Sequence, residues 1–257
     1  MFLLQRTILV LALSLTTLGS SPAQSALAQE ERAAPLDQFD LIDETSGWIL
    51  SGTRLLWTSD MGDTWDEIGP SVPTGADVHD VEFLNTDTGW MLWSRAEAEG
   101  SSSFQLAQTT DHGVSWVEHS LALFEPGEVA SFAEKAEMGW LNEQHGWIAI
   151  KQATGSNFSV GTLFVTSDGG SAWSRTVLPV ADHVHFRDPQ TGWAVGGPTG
   201  GQIFETKDGG ETWQAVEVDK MLADSAVTAY LPSYANEQGV LVRTETGSEN
   251  SLNIYSL

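Results

Sequence analysis

Thr206-Lys207-Asp208-Gly209-Gly210-Glu211-Thr212-Trp213 is the clearest of four copies of one eight-residue motif. The others are Thr58-Ser59-Asp60-Met61-Gly62-Asp63-Thr64-Trp65, Thr109-Thr110-Asp111-His112-Gly113-Val114-Ser115-Trp116 and Thr166-Ser167-Asp168-Gly169-Gly170-Ser171-Ala172-Trp173. Their common frame is T-x-D-x-G-x-[ST]-W, and Ala172 is its one departure. Upstream of each copy a Gly-Trp pair opens an apolar run: Gly47-Trp48-Ile49-Leu50, Gly89-Trp90-Met91-Leu92, Gly146-Trp147-Ile148-Ala149 and Gly192-Trp193-Ala194-Val195. Working further outward, Leu41, Phe83, Trp140 and Phe186 stand seven residues before those tryptophans, and Phe39, Val81, Met138 and Val184 lie two residues earlier still. Alternation of that kind is a strand signature.

One unit therefore reads as an inner strand, a turn, a Gly-Trp strand, a strand running into the motif, and an outer strand that starts at the motif tryptophan. The Gly-Trp tryptophans are 42, 57 and 46 residues apart, a period that fits four-stranded propeller blades. The expected fold is all-β: a β-propeller of four-stranded antiparallel blades over residues 36–70, 78–121, 136–180 and 182–218. A fifth blade begins near Val227, with Gln238-Gly239-Val240-Leu241-Val242 in the Gly-Trp place and Leu252-Asn253-Ile254-Tyr255-Ser256 after it, and it lacks a fifth motif. Two expectations follow for that incomplete blade. Either a larger propeller has been truncated, which is the favoured reading because an open sheet edge is avoided, or the ring closes on it with help from Glu30 to Leu36.

The motif chemistry is that of a corner. The Asp carboxylate accepts backbone N–H groups of its own turn, the Gly two positions later takes positive φ at no steric cost, and the Trp buries its ring between blades. Asp60, Gly62, Trp65, Asp111, Gly113, Trp116, Asp168, Gly170, Trp173, Asp208, Gly210 and Trp213 are accordingly structural, because a catalytic carboxylate is needed once and these recur in every unit. The motif resembles the bacterial neuraminidase repeat, or Asp box, of sialidases, sortilin-type receptors and xyloglucan-degrading enzymes. Together with the Gly-Trp strand, Thr191 to Gly197 followed by Ile203 to Trp213, it is most similar to photosystem II stability and assembly factors, from about Leu36 to Val218. That resemblance implies recognition of a protein partner and no covalent chemistry. It departs in one respect: the basic patch attributed to the photosynthetic members has no counterpart here.

The chain carries 11 Lys and Arg against 35 Asp and Glu, a net charge of −24. Such a surface repels nucleic acid and anionic lipid; it suits solubility outside the cytoplasm, or a basic partner or cation. Arg6 followed by Thr7 to Leu15 and then Ala26-Leu27-Ala28 is expected to be a signal peptide over residues 1–28, with a linker at 29–35 and the propeller over 36–257. The product is thus exported, periplasmic or extracellular, with no stable membrane span after cleavage. The chain has no Cys, so neither a disulfide framework nor a lipidated cysteine arises.

Catalytic residues, a metal and a cofactor are each expected to be absent. A sialidase needs an arginine cluster and a Tyr nucleophile with an acidic partner; Arg32, Arg54, Arg95, Arg175, Arg187 and Arg243 are scattered, and Tyr230, Tyr234 and Tyr255 crowd into the last blade. Aligning the Gly-Trp tryptophans puts Asp40, Glu82, Gly139 and His185 at one inner-strand position. Asp40, Glu82 and His185 are expected to line a central channel that holds a basic peptide or a cation. Asp182-His183-Val184-His185 is the metal-like segment, against which stands a merely hydrated channel. Trp57, Trp93 and Phe158 lie outside the repeat frame and are either partner contacts or packing residues; the insertions Ser94 to Ser103 and Gln152 to Gly161 are either recognition loops or mobile linkers. A glycan-binding or glycoside-hydrolase propeller, with a glycan as ligand, is the alternative function.

Overall fold

The computed structural model describes residues 35–96, 102–121, 133–153, 159–197, 200–216, 226–229, 231, 233–235, 238–246 and 251–256. The expected signal peptide, most of the linker, Phe158 and the middles of both insertions lie outside the described residues. Among the described residues no helix is long and apolar enough to cross a membrane.

The chain is an all-β propeller. Blade 1 contains β1 (Gln38–Leu41), β2 (Gly47–Ser51), β3 (Arg54–Thr58) and β4 (Asp66–Glu67). Blade 2 contains β5 (Ala76–Phe83), β6 (Gly89–Ala96), β7 (Ser102–Thr109) and β8 (Val117–Leu121). Blade 3 is β9 (Ala133–Trp140), β10 (Gly146–Ala153), β11 (Ser159–Thr166) and β12 (Ser174–Leu178). Blade 4 is β13 (His183–Phe186), β14 (Gly192–Gly196), β15 (Gln202–Thr206) and β16 (Gln214–Ala215). Each of these four sheets is an antiparallel meander in chain order. In the fifth, β19 (Gln238–Thr246) is flanked on one side by β17 (Ala226–Ala229) and β18 (Ser233–Ala235) and on the other by β20 (Ser251–Ser256).

Register repeats as strictly as the motifs do. Asp40, Glu82, Gly139 and His185 sit directly opposite Trp48, Trp90, Trp147 and Trp193. Two side-chain-locked corners recur in every one of these blades. The first joins inner strand to Gly-Trp strand: Asp43, Asn85, Asn142 or Asp188, five residues before the tryptophan, accepts two backbone N–H groups through Oδ1, at 2.7 to 2.9 Å. An Asx turn of this kind meets backbone donors that the tight connection would leave unpaired.

The second corner is the T-x-D turn. Thr58, Thr109, Thr166 and Thr206 each donate their hydroxyl to Oδ1 of the aspartate two residues on, at 2.8, 2.9, 2.8 and 2.8 Å, and each accepts the N–H of the later glycine at 2.9 Å. The same Oδ1 takes the N–H of Thr64, Ser115, Ala172 or Thr212. Oδ2 takes the hydroxyl of Thr64, Ser115 or Thr212, at 2.6, 2.6 and 2.5 Å; Ala172 has none to give. The backbone is left-handed at the glycine, and also one residue earlier at Met61 (φ 62°), His112 (φ 63°), Gly169 and Gly209. Two such residues in a row reverse the chain within the corner.

The core lies between blades, and blades 2 and 3 bury both faces against their neighbours. Val81 and Phe83 pack with Trp48 and Trp57 of blade 1; Trp90 and Leu92, on the opposite face, pack with Met138 and Trp140 of blade 3. The rings of Trp90 and Trp140 are stacked at 4.1 Å and 6°. Trp57 and Trp93 belong to this packing, being 2% and 1% exposed, and are not partner contacts. Phe39 and Leu41 of blade 1, at the places of Val81 and Phe83, are instead 67% and 72% exposed, because they sit on the face of blade 1 turned away from blade 2.

Candidate functional site

The recurrent aspartates form no joint site. Each is bonded inside its own turn, in its own sheet, and those bonds hold all four carboxyls below the ordinary Asp range. Asp60 falls to about 2, first through the Thr64 hydroxyl and then through the Thr64 N–H. A carboxylate already saturated by donors is a poor proton acceptor and a poor nucleophile.

The inner strands carry the unusual electrostatics. Their edges expose backbone N–H groups toward the axis, which must be met by something other than a sheet ladder. Side chains meet them from the neighbouring blade. Asp80 Oδ2 accepts the Met138 N–H at 2.8 Å, Glu82 accepts that of Trp140, and Glu137 Oε1 accepts that of Val184 at 2.5 Å. Between blades 1 and 2 the Gln38 amide donates to the His79 carbonyl at 2.7 Å.

Gln38, Asp80, Glu137 and His183 all stand ten residues before a Gly-Trp tryptophan. This bridging position escaped the sequence reading, which followed the one eight residues before; the same alignment displays it as an unbroken polar column. Glu137 continues the chain of contacts, with Oε2 3.0 Å from Lys135 Nζ and 3.2 Å from His183 Nδ1. Lys135 also donates to the Asp182 carbonyl at 2.8 Å, and Lys151 pairs with the Asp182 carboxylate at 2.7 Å.

Burial pushes Asp80 up to about 6, opposed by the Met138 N–H and reinforced by Glu137. Glu82 is pushed to about 7, first by burial, then by the charge on Asp80, against the Trp140 N–H and with a further push from Asp40. His79, at the bulge of β5, is lowered by burial; its ring stacks on Phe104 at 5.6 Å and its Nε2 is 2.8 Å from Ser94 Oγ. His185 is lowered too, because one side of its ring is desolvated edge-on against Trp147 at 5.9 Å.

The expected channel wall is therefore resolved into different environments. Asp40 and His185 are exposed, whereas Glu82 is turned into the seam between blades 2 and 3. The physical reason is that inner-strand side chains leave an edge-on sheet sideways, toward the next blade, rather than forward into an axial space. A shallow cavity of about 420 Å³ does open beside Asp40, lined also by Gln38, Phe39, Trp48 and Asp80. Among the described residues no group of three or more His, Asp and Glu is arranged to hold a metal ion.

No family model matches the chain. A segment of 50 residues is 46% identical to the chloroplast photosystem II stability/assembly factor HCF136 of Cyanidioschyzon merolae. That match covers 18% of this chain and spans 11% of the relative. Similar solved structures include YCF48 bound to D1 peptide, at 18% identity over 81% of this chain and 90% of that one, with a TM-score of 0.33. A thermostable family-43 glycoside hydrolase aligns at 13% identity over 84% and 87%, with a TM-score of 0.45. The α-L-arabinanase of Penicillium chrysogenum aligns at 15% identity over 83% and 67%, with a TM-score of 0.44. The blade assignment stands on this chain's own sheets and register.

Proposed function

We propose that the protein is a non-enzymatic binding or assembly module that works outside the cytoplasm, recognises a protein partner, and is similar in role to the photosystem II assembly factors. The observation that carries this reading is that the repeated carboxylates are spent on architecture: all four are bonded within their turns, three of them through both oxygens, and Asp80, Glu82 and Glu137 tie neighbouring blades together. What remains for function is a rigid, strongly acidic surface. The T-x-D turns support Asp-box ancestry, the short likeness to an assembly factor supports a protein partner, and the charge of −24 supports a basic one. The apolar run after Arg6 supports export.

A second reading has its own observation. Two adjacent carboxyls raised to about 6 and about 7 resemble the tuned acid of a glycosidase. The test runs both arms on one preparation: capture of partners from the native envelope fraction, and hydrolysis of fluorogenic sialosides and arabinosides beside a glycan array. Salt-sensitive capture of a basic protein with no turnover is the expected result. Turnover that Glu82→Gln abolishes, without loss of fold, would overturn it in favour of the glycosidase.

A further inference from the structure

The seams between blades are built from equivalent residues, yet they are not equally filled. At the seam of blades 1 and 2, two side chains plug the rim beside the T-x-D turns. Trp57, just before Thr58, meets the ring of His112, just after Asp111, with centroids 4.7 Å apart at 75°. The imidazole is fixed by a 2.7 Å contact from Nδ1 to the Thr86 carbonyl, while the His112 N–H donates to the Asp87 carbonyl.

The corresponding places at the seam of blades 3 and 4 are held by Val165, Gly209, Pro189 and Gln190. Equivalence is confirmed by the backbone, since Gly209 N–H donates to the Gln190 carbonyl at 2.8 Å, as His112 N–H does to Asp87. Gly209 keeps the left-handed φ of His112, 72° against 63°. Exchanging an indole and an imidazole for an isopropyl group and a hydrogen leaves the seat empty. Phe186, where the middle seam has Trp140 stacked on Trp90, does not refill it.

The result is a cavity of about 530 Å³ with an apolar floor of Trp147, Phe186 and Val165. That volume lies in the range of small-ligand pockets. Its rim carries Asp208, Glu211, His145 and Lys207. Lys207 is paired with Glu205 at 3.1 Å and His145 leans on Asn142, so the field over the opening is set by Asp208 and Glu211.

The geometry points to a binding pocket for a planar nitrogen cation, the imidazolium or guanidinium of a partner's side chain, seated over Val165 where the first seam holds its own histidine. The flat ring would lie against Trp147 and Phe186, its charge toward Asp208 and Glu211, and an N–H toward the Pro189 carbonyl, as His112 points to Thr86. This goes beyond the proposed recognition of a protein partner, and the pocket is tested with small probes alone, so its failure is distinguishable from failure of that reading.

Benzamidinium, benzamide and benzoate share one shape and differ in charge; saturation-transfer NMR and titration calorimetry on the full chain would rank them. Benzamidinium is expected to bind best and benzoate not to bind. Val165→Trp, which restores the first seam's plug, should weaken benzamidinium by about tenfold or more, and Glu211→Gln by roughly threefold, as loss of one nearby charge implies. Near-UV circular dichroism shows whether the plugged variant keeps its tertiary packing; if it does not, the charge series and Glu211→Gln decide the matter. Equal binding of benzoate, no binding of benzamidinium, or unchanged affinity in a folded Val165→Trp protein would each overturn the assignment.

Discussion

Replacing Glu82 with Gln should stabilise the protein at alkaline pH and do nothing at acid pH. In the folded chain the Glu82 carboxyl titrates at about 7 against an ordinary 4.5, and Asp80 at about 6 against 3.8. A raised carboxyl binds its proton more tightly when folded than when unfolded, so its contribution is complete below the unfolded value and is lost as pH rises through the folded one. The loss runs from about pH 4 to about pH 7. Each shift is worth about 3 kcal/mol as an upper bound, at 1.36 kcal/mol per unit. The two are not additive, because part of the push on Glu82 is the charge of Asp80.

Gln keeps an oxygen for the Trp140 N–H but brings an amide donor into the seam, which reduces the gain. Glu82→Gln is therefore expected to be more stable than the parent by about 1 to 3 kcal/mol at pH 8, roughly 3 to 10 °C in melting temperature for a chain of this size, and equal to it at pH 4. His79 and His185, with lowered values, change stability with pH in the opposite sense, since a His whose ring is partly desolvated on folding loses stability as pH falls below 6.5. They are present in both proteins and cancel in the difference. Urea unfolding at pH 4, 6 and 8 checks this. A variant less stable than the parent at pH 8, or a gap that does not change with pH, would refute the reasoning.

Other consequences concern packing and corners. A Cβ on Gly139 would stand 2.0 Å from the Trp147 ring, so Gly139→Ala should cost about 1 to 3 kcal/mol by overpacking, read by urea unfolding. Phe83→Ala should cost about 3 to 5 kcal/mol, whereas Leu41→Ala, at the equivalent but 72% exposed place, should change stability by less than about 0.5 kcal/mol. Ala172→Thr supplies the hydroxyl that Asp168 lacks, and should raise the melting temperature by about 1 to 3 °C if it forms the bond seen from Thr212.

Spacing alone revealed much of this architecture. Counting back from each Gly-Trp tryptophan placed Asp40, Glu82, Gly139 and His185 in one register, because strand pairing preserves sequence offsets. The direction of those side chains was not legible. Period two separates the two faces of a strand but does not say what each face meets, and in blades 2 and 3 both meet another blade. Trp57 and Trp93 were ambiguous for the same reason, since a tryptophan outside the repeat frame reads alike whether it fills a seam or faces solvent. The left-handed Met61 and His112 were hidden because two of the four turns carry Gly there, which accepts any φ. The cavity at Val165 and Gly209 arises from two small residues in different blades, a coincidence that only assembly displays.

Cutting the turn carboxylates away singly and together tests most directly whether they are independent corner ties. Asp60→Ala, Asp168→Ala and the double variant, neither residue lining the cavity between blades 3 and 4, would be compared by urea unfolding at pH 7. Each single change is expected to cost about 1 to 2 kcal/mol, as for a lost side-chain cap, and the double to match their sum within about 0.5 kcal/mol, with partner capture unchanged. Coupling above about 1 kcal/mol between two turns in different blades, or loss of capture from either single change in a folded protein, would contradict it.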